Sequence, residues 1–93
     1  MSIEEEINRA QRAKLLLDDE LLAEAFTILE SEYTQAWKES LEREGDKRDR
    51  LWLMLRLLQR VRGHLLEVME AGKVAQHKLD EKESFATRLR KVI

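Results

Sequence analysis

The stretch RDRLWLMLRLLQRVRGHLLEVMEA, residues 48–71, decides how this chain folds. Placed on a helix at about 100° per residue, Leu51, Met54, Leu55, Leu57, Leu58, Val61, Leu65, Leu66, Val68 and Met69 cover roughly half the circumference. Trp52 and Leu53 widen the apolar zone further. A helix lying on a surface needs a stripe only a little over about 100° wide. This one, spanning about residues 47–71, is predicted to be the central helix, covered from more than one side. Asp46 and Asp49 are its candidate N-terminal caps.

Working outward toward the N-terminus, Gly45 reads as a helix stop with Arg43 in the last turn before it. The preceding helix, about 19–43, carries Leu22, Ala25, Phe26, Leu29, Tyr33, Ala36 and Trp37 at the i, i+3, i+4, i+7 spacing of one face. Asp18 and Asp19 either cap this helix or lie within a longer one reaching back to residue 3; a break or bend is the favoured reading. A first helix, about 3–17, carries Ile3, Ile7, Ala10, Ala13, Leu16 and Leu17. Ser2 followed by Glu5 forms a capping-box pattern, and Glu4–Glu6 sit where the positive end of the helix dipole favours acids.

Toward the C-terminus, Gly72 reads as a stop or bend. A weaker helical pattern, about 73–91, then continues through Val74, Ala75, Leu79, Phe85, Ala86 and Leu89, with Val92 and Ile93 beyond it. Residues 76–84, QHKLDEKES, are nearly all polar and are the least decided part of the chain: a packed helix, a helix formed on binding, or a frayed tail. With no proline and only three glycines, long helices are the rule. The expected fold is all-α: an antiparallel hairpin of residues 19–43 and 47–71, flanked by N- and C-terminal helices in a small bundle. All 93 residues read as a single domain. The surplus apolar width on the central helix favours association between subunits as a homo-oligomer.

Composition narrows the chemistry. No cysteine is present, so neither a disulfide framework nor a thiolate zinc site is available. No segment approaches the roughly 18 consecutive apolar residues of a membrane span. The acidic start, MSIEEEINRA, lacks the layout of a signal peptide, which favours a cytoplasmic location. The net charge of −2 conceals a polarity: residues 1–46 hold 13 acids and five bases, residues 47–93 hold 12 bases and six acids. Such asymmetry marks either a nucleic-acid surface or an acidic helix lying beside a basic one.

Enzyme signatures are scarce. There is no glycine-rich phosphate loop, no nucleophile elbow and no zinc helix. His64 and Glu67 stand one turn apart, but in the reverse order to the Glu-x-x-His pair of a di-metal bundle, which also needs further carboxylates. His64 and His77 therefore read as surface or boundary residues, and the acid clusters as helix-start devices. No catalytic residue, metal site or cofactor is expected. The interface candidates are Trp52, Leu53, Leu57, Arg62 and Leu66. Arg62 falls inside the apolar arc, where a charge has to be paired because burying it alone is costly. Trp52 lies at the edge of that arc near the predicted turn, while Tyr33 and Trp37, four residues apart, read as core. Lys47, Arg48, Arg50, Arg56 and Arg60 are the nucleic-acid candidates, able to contact phosphates without reading sequence. Pairing with acids in the same or a neighbouring subunit is the favoured account of these bases.

The segments LLDDELLAEAF (16–26), Ala36–Trp37, and RDRLWLMLRLLQRVRGHLLEVMEAGKVAQHKL (48–79) resemble short helical proteins encoded in tailed-bacteriophage genomes and prophages. The resemblance implies a phage setting, among genes for virion assembly and DNA packaging. It contains no catalytic motif, so no residue role follows from it. The leading expectation is a non-enzymatic interaction module that self-associates and binds a phage or host protein during assembly. One alternative is a DNA-recognition subunit similar to small terminase proteins, with the basic residues facing DNA. A second is an inhibitor of a host enzyme or defence system, using acids such as Glu4–Glu6 as a nucleic-acid decoy.

Overall fold

Ser2 opens the first helix: its Oγ accepts the amide N–H of Glu5 at 3.1 Å, and its carbonyl accepts that of Glu6 at 3.0 Å. In the computed structural model, which describes residues 1–92, this helix is α1, Ile3–Asp18. Glu4, Glu5 and Glu6 occupy its first turn, where the unpaired amides favour negative charge. The favoured break at the aspartates is present. Asp19 is the N-cap of α2, Glu20–Glu39, with extended backbone and a side-chain oxygen 2.8 Å from the amide of Leu22. A third helix, α3, runs without interruption from Gly45 to Val92. The described residues are all-helical, with three helices and no strand. The position expected for Ile93 lies outside the described residues.

Two expected stops are corrected. Gly72 neither ends nor separates helices; it sits inside α3 with no positive φ. Its lack of a side chain serves space instead. A Cβ built on Gly72 would overlap the Cβ of Ala10 and lie 3.2 Å from the carbonyl oxygen of Glu6. The residues expected to form two helices, 47–71 and 73–91, therefore form one. Gly45, expected to end the second helix, is the first residue of α3 and also lacks a positive φ. The second helix ends earlier, at Glu39, because Ser40 caps it and a side chain from α3 takes up its last carbonyls.

Contacts group the chain into two compact units: Met1–Leu15 with the part of α3 from Leu65 onward, and Leu16–His64. In the first, Ala13 and Ala75 are buried, at 3% and 1% exposure, and Gly72 is buried with them. Small residues let the α1 backbone lie directly against α3 here. The polar stretch 76–84 is helical because it is built from good helix formers that pair along the helix. Gln76 donates to Asp80 at 3.0 Å, His77 meets Glu81 at 3.0 Å, and Lys73 meets Glu70 at 3.0 Å.

In the second unit, half-buried Leu22, Phe26, Leu29 and Tyr33 of α2 and Leu51, Leu55 and Leu58 of α3 supply the apolar contact surface. Its best-defined feature is the elbow between the helices. The Ser40 amide and Oγ both donate to the Trp37 carbonyl, at 3.2 and 2.6 Å. Arg48 Nη1 lies 3.2 Å from the same carbonyl, 3.0 Å from the Ser40 carbonyl and 2.9 Å from Ser40 Oγ. Orphan carbonyls at a helix end are thus satisfied by a cation, which also suits the negative end of the dipole. Glu44 closes the turn: its amide donates to the Leu41 carbonyl at 2.8 Å, and its Oε1 accepts the Leu41 amide at 2.8 Å. The caps expected at Asp46 and Asp49 fall inside α3, where Asp46 contributes first-turn charge.

Candidate functional site

The i, i+4 spacing of Leu53, Leu57 and Val61 draws a straight apolar stripe along α3. These side chains are 55%, 63% and 52% exposed, values unusual for three successive aliphatic residues on one helix line. Met54 flanks the stripe and is also exposed. Beside it opens a shallow apolar groove lined by Tyr33 of α2 and by Met54, Leu57, Leu58 and Val61 of α3. Stripe and groove form one continuous surface, since Leu57 and Val61 belong to both.

The expected interface residues divide. Leu53 and Leu57 lie together on the stripe. Trp52 is 53% exposed, but it points roughly 140° around the helix from Leu57, with the Arg56 guanidinium 5.7 Å from its ring centroid. Arg62 turns toward α2, where Nη1 lies 3.5 Å from Glu30 Oε1 and the guanidinium sits 5.2 Å from the Phe26 ring centroid. Leu66 is exposed in the other compact unit. Val61 and Tyr33 belong to the surface although sequence reasoning assigned neither to it. For Val61 the signal was available in its spacing from Leu53 and Leu57. For Tyr33 none was, because the sequence does not say which edge of α2 borders the groove.

The basic candidates also separate. Arg48 is committed to the elbow, with its guanidinium 4.3 Å from the Trp37 ring centroid. Lys47 lies 3.7 Å from Glu44, and Arg56 covers Trp52. Arg50 and Arg60 are exposed on the stripe side of α3. Hydrogen bonding to the Leu41 amide, helped by Lys47 and Arg48, holds the Glu44 carboxyl below its ordinary pKa despite an opposing desolvation effect. Among the described residues, no three His, Asp or Glu side chains converge as metal ligands would. None of the described helices is long and apolar enough to cross a membrane.

Compared with protein-family models, with curated proteins and with solved structures, the chain matches none.

Proposed function

We propose that this protein is a non-enzymatic helical interaction module. It works by self-association through the outer face of α3, as an assembly or accessory protein in the phage setting its sequence resembles. In this reading α2 and the first half of α3 form an antiparallel hairpin. The pairings Trp37 with Arg48 and Glu30 with Arg62 support that direction, since the α2 partner moves back along the chain as the α3 partner moves forward.

The observation that carries the reading is the exposed stripe Leu53–Leu57–Val61 and its adjoining groove. Leaving such aliphatic surface in water forgoes about 25 cal/mol for each Å² that a partner helix would cover. A second copy brings the same surface at the same concentration, which makes self-association the economical way to cover it.

Sedimentation equilibrium of the full chain over a wide concentration range tests this. Association is expected, with Leu57→Asp shifting the protein to monomer while its helical circular dichroism is retained. A monomer at every concentration would overturn the reading.

A further inference from the structure

The outer face of α2 is also apolar in the middle, but its charge is opposite to that of α3. Leu21 is 75% exposed and Ile28 45%, with exposed Ala25 between them. Exposed Glu24 and Glu32 stand beside this row. Along Leu53–Val61 the α3 stripe is accompanied instead by exposed Arg50 and Arg60, with exposed Asp46 and Asp49 one to two turns before it. The rows are similar in length: Leu21 to Ile28 spans about 10.5 Å and Leu53 to Val61 about 12 Å at the helical rise.

We infer that the α3 stripe of one copy receives the α2 outer face of a second copy, and that the second copy reciprocates. This rests on the self-association reading above and adds the identity of the mating surface. Leu21, Ala25 and Ile28 lie about 120° around α2 from the side carrying Phe26 and Tyr33. Leu53, Leu57 and Val61 lie about 130° around α3 from the side carrying Leu55, Leu58 and Arg62. Both offsets have the same sense along their own chains. Because the proposed hairpin runs antiparallel, equal senses bring the two rows to one side of the pair. Each copy then offers an acidic-edged row and a basic-edged row side by side. A two-fold axis lays the acidic row of each on the basic row of the other, making a four-helix contact with like charges kept apart. Stacking α3 directly on α3 would instead set one basic-edged row against another, a penalised arrangement.

Charge exchange between copies tests the assignment. Two variants of the full chain are made: E24R/E32R, basic on both rows, and R50E/R60E, acidic on both rows. Each alone is expected to associate at least roughly tenfold more weakly than the parent in low salt, read by sedimentation equilibrium. An equimolar mixture is expected to recover association, because every contact in the mixed dimer is again between opposite charges. The rescue separates lost attraction from lost folding. A mixture no tighter than its components overturns the inference. So do single variants that associate like the parent, and in that case self-association itself stands. A parent that remains monomeric at every concentration overturns both readings and assigns the stripe to a different protein.

Discussion

Arg48 holds the ring and the backbone of Trp37 at once. Its guanidinium lies 4.3 Å from the indole centroid, and its Nη1 is 3.2 Å from the Trp37 carbonyl oxygen. The same nitrogen reaches the carbonyl and hydroxyl oxygens of Ser40, a buried polar residue. One side chain therefore ends α2, fixes the elbow and covers a tryptophan. Arg48→Ala is expected to cost about 2 kcal/mol, because charge-assisted hydrogen bonds and a ring contact disappear together. Arg48→Lys keeps the charge without the planar fork and is expected to cost about half as much. Urea unfolding followed by tryptophan fluorescence checks both, and equal losses for the two variants would contradict a role for the planar guanidinium over the Trp37 ring.

Gly72 and Gly63 lie in the same helix, yet the same substitution should act on them in opposite directions. A methyl group at Gly72 would overlap Ala10, whereas one at Gly63 meets nothing within 4 Å. Gly72→Ala is expected to destabilise by about 1–3 kcal/mol as α1 is pushed off α3. Gly63→Ala is expected to stabilise by about 0.5–1 kcal/mol, since alanine loses less backbone freedom in a helix. Thermal melts read by circular dichroism distinguish the signs directly.

These glycines also mark what the sequence could say. The starts of α1 and α2 were legible because their signals are local: Ser2 precedes Glu5 by one turn, and the side chain of Asp19 reaches the amide of Leu22. The continuity of α3 was not legible. Glycine is read from sequence as a conformational exception, and only the approach of Ala10, 62 positions earlier, reveals it as a spatial one. The end of α2 was misplaced for the same kind of reason, because the group that terminates it, Arg48, comes from the following helix. On the candidate surface, Leu53 and Leu57 were legible from the excess width of the apolar arc. Arg62 was not: the sequence predicts that it needs a partner, but not that Glu30 of the same chain supplies one.

Glu44 gives the turn a dependence on pH. Its carboxyl is held below its ordinary pKa chiefly by the Leu41 amide, with Lys47 and Arg48 contributing. A group whose pKa is depressed on folding adds stability above its unfolded value and loses it as the pH falls through its folded value. The turn is therefore expected to weaken on the acid side of the ordinary glutamate range and to be insensitive to this group near neutrality. In Glu44→Gln, acid unfolding should lose part of its steepness there, and in the parent the Glu44 carboxyl resonance should titrate below a model glutamate. A Glu44 titration at or above the ordinary value would remove this contribution.

Arg62 separates charge from packing. Its pair with Glu30 is 3.5 Å long, with the two side chains 38% and 28% exposed, so water screens much of the attraction. The guanidinium also sits 5.2 Å from the Phe26 ring centroid, and Arg62 borders a small hollow lined by Leu16, Leu17, Leu22, Ala23 and Phe26. Arg62→Met retains most of the stem and should change stability by less than about 1 kcal/mol. Arg62→Ala removes the stem as well and is expected to cost about 1 kcal/mol more. Neither should alter the proposed self-association, because Arg62 faces α2 of its own chain while the stripe faces away. Were Arg62→Met to abolish association at unchanged stability, the guanidinium would belong to the contact between copies, and the α3 surface would have to extend around the helix toward Glu30.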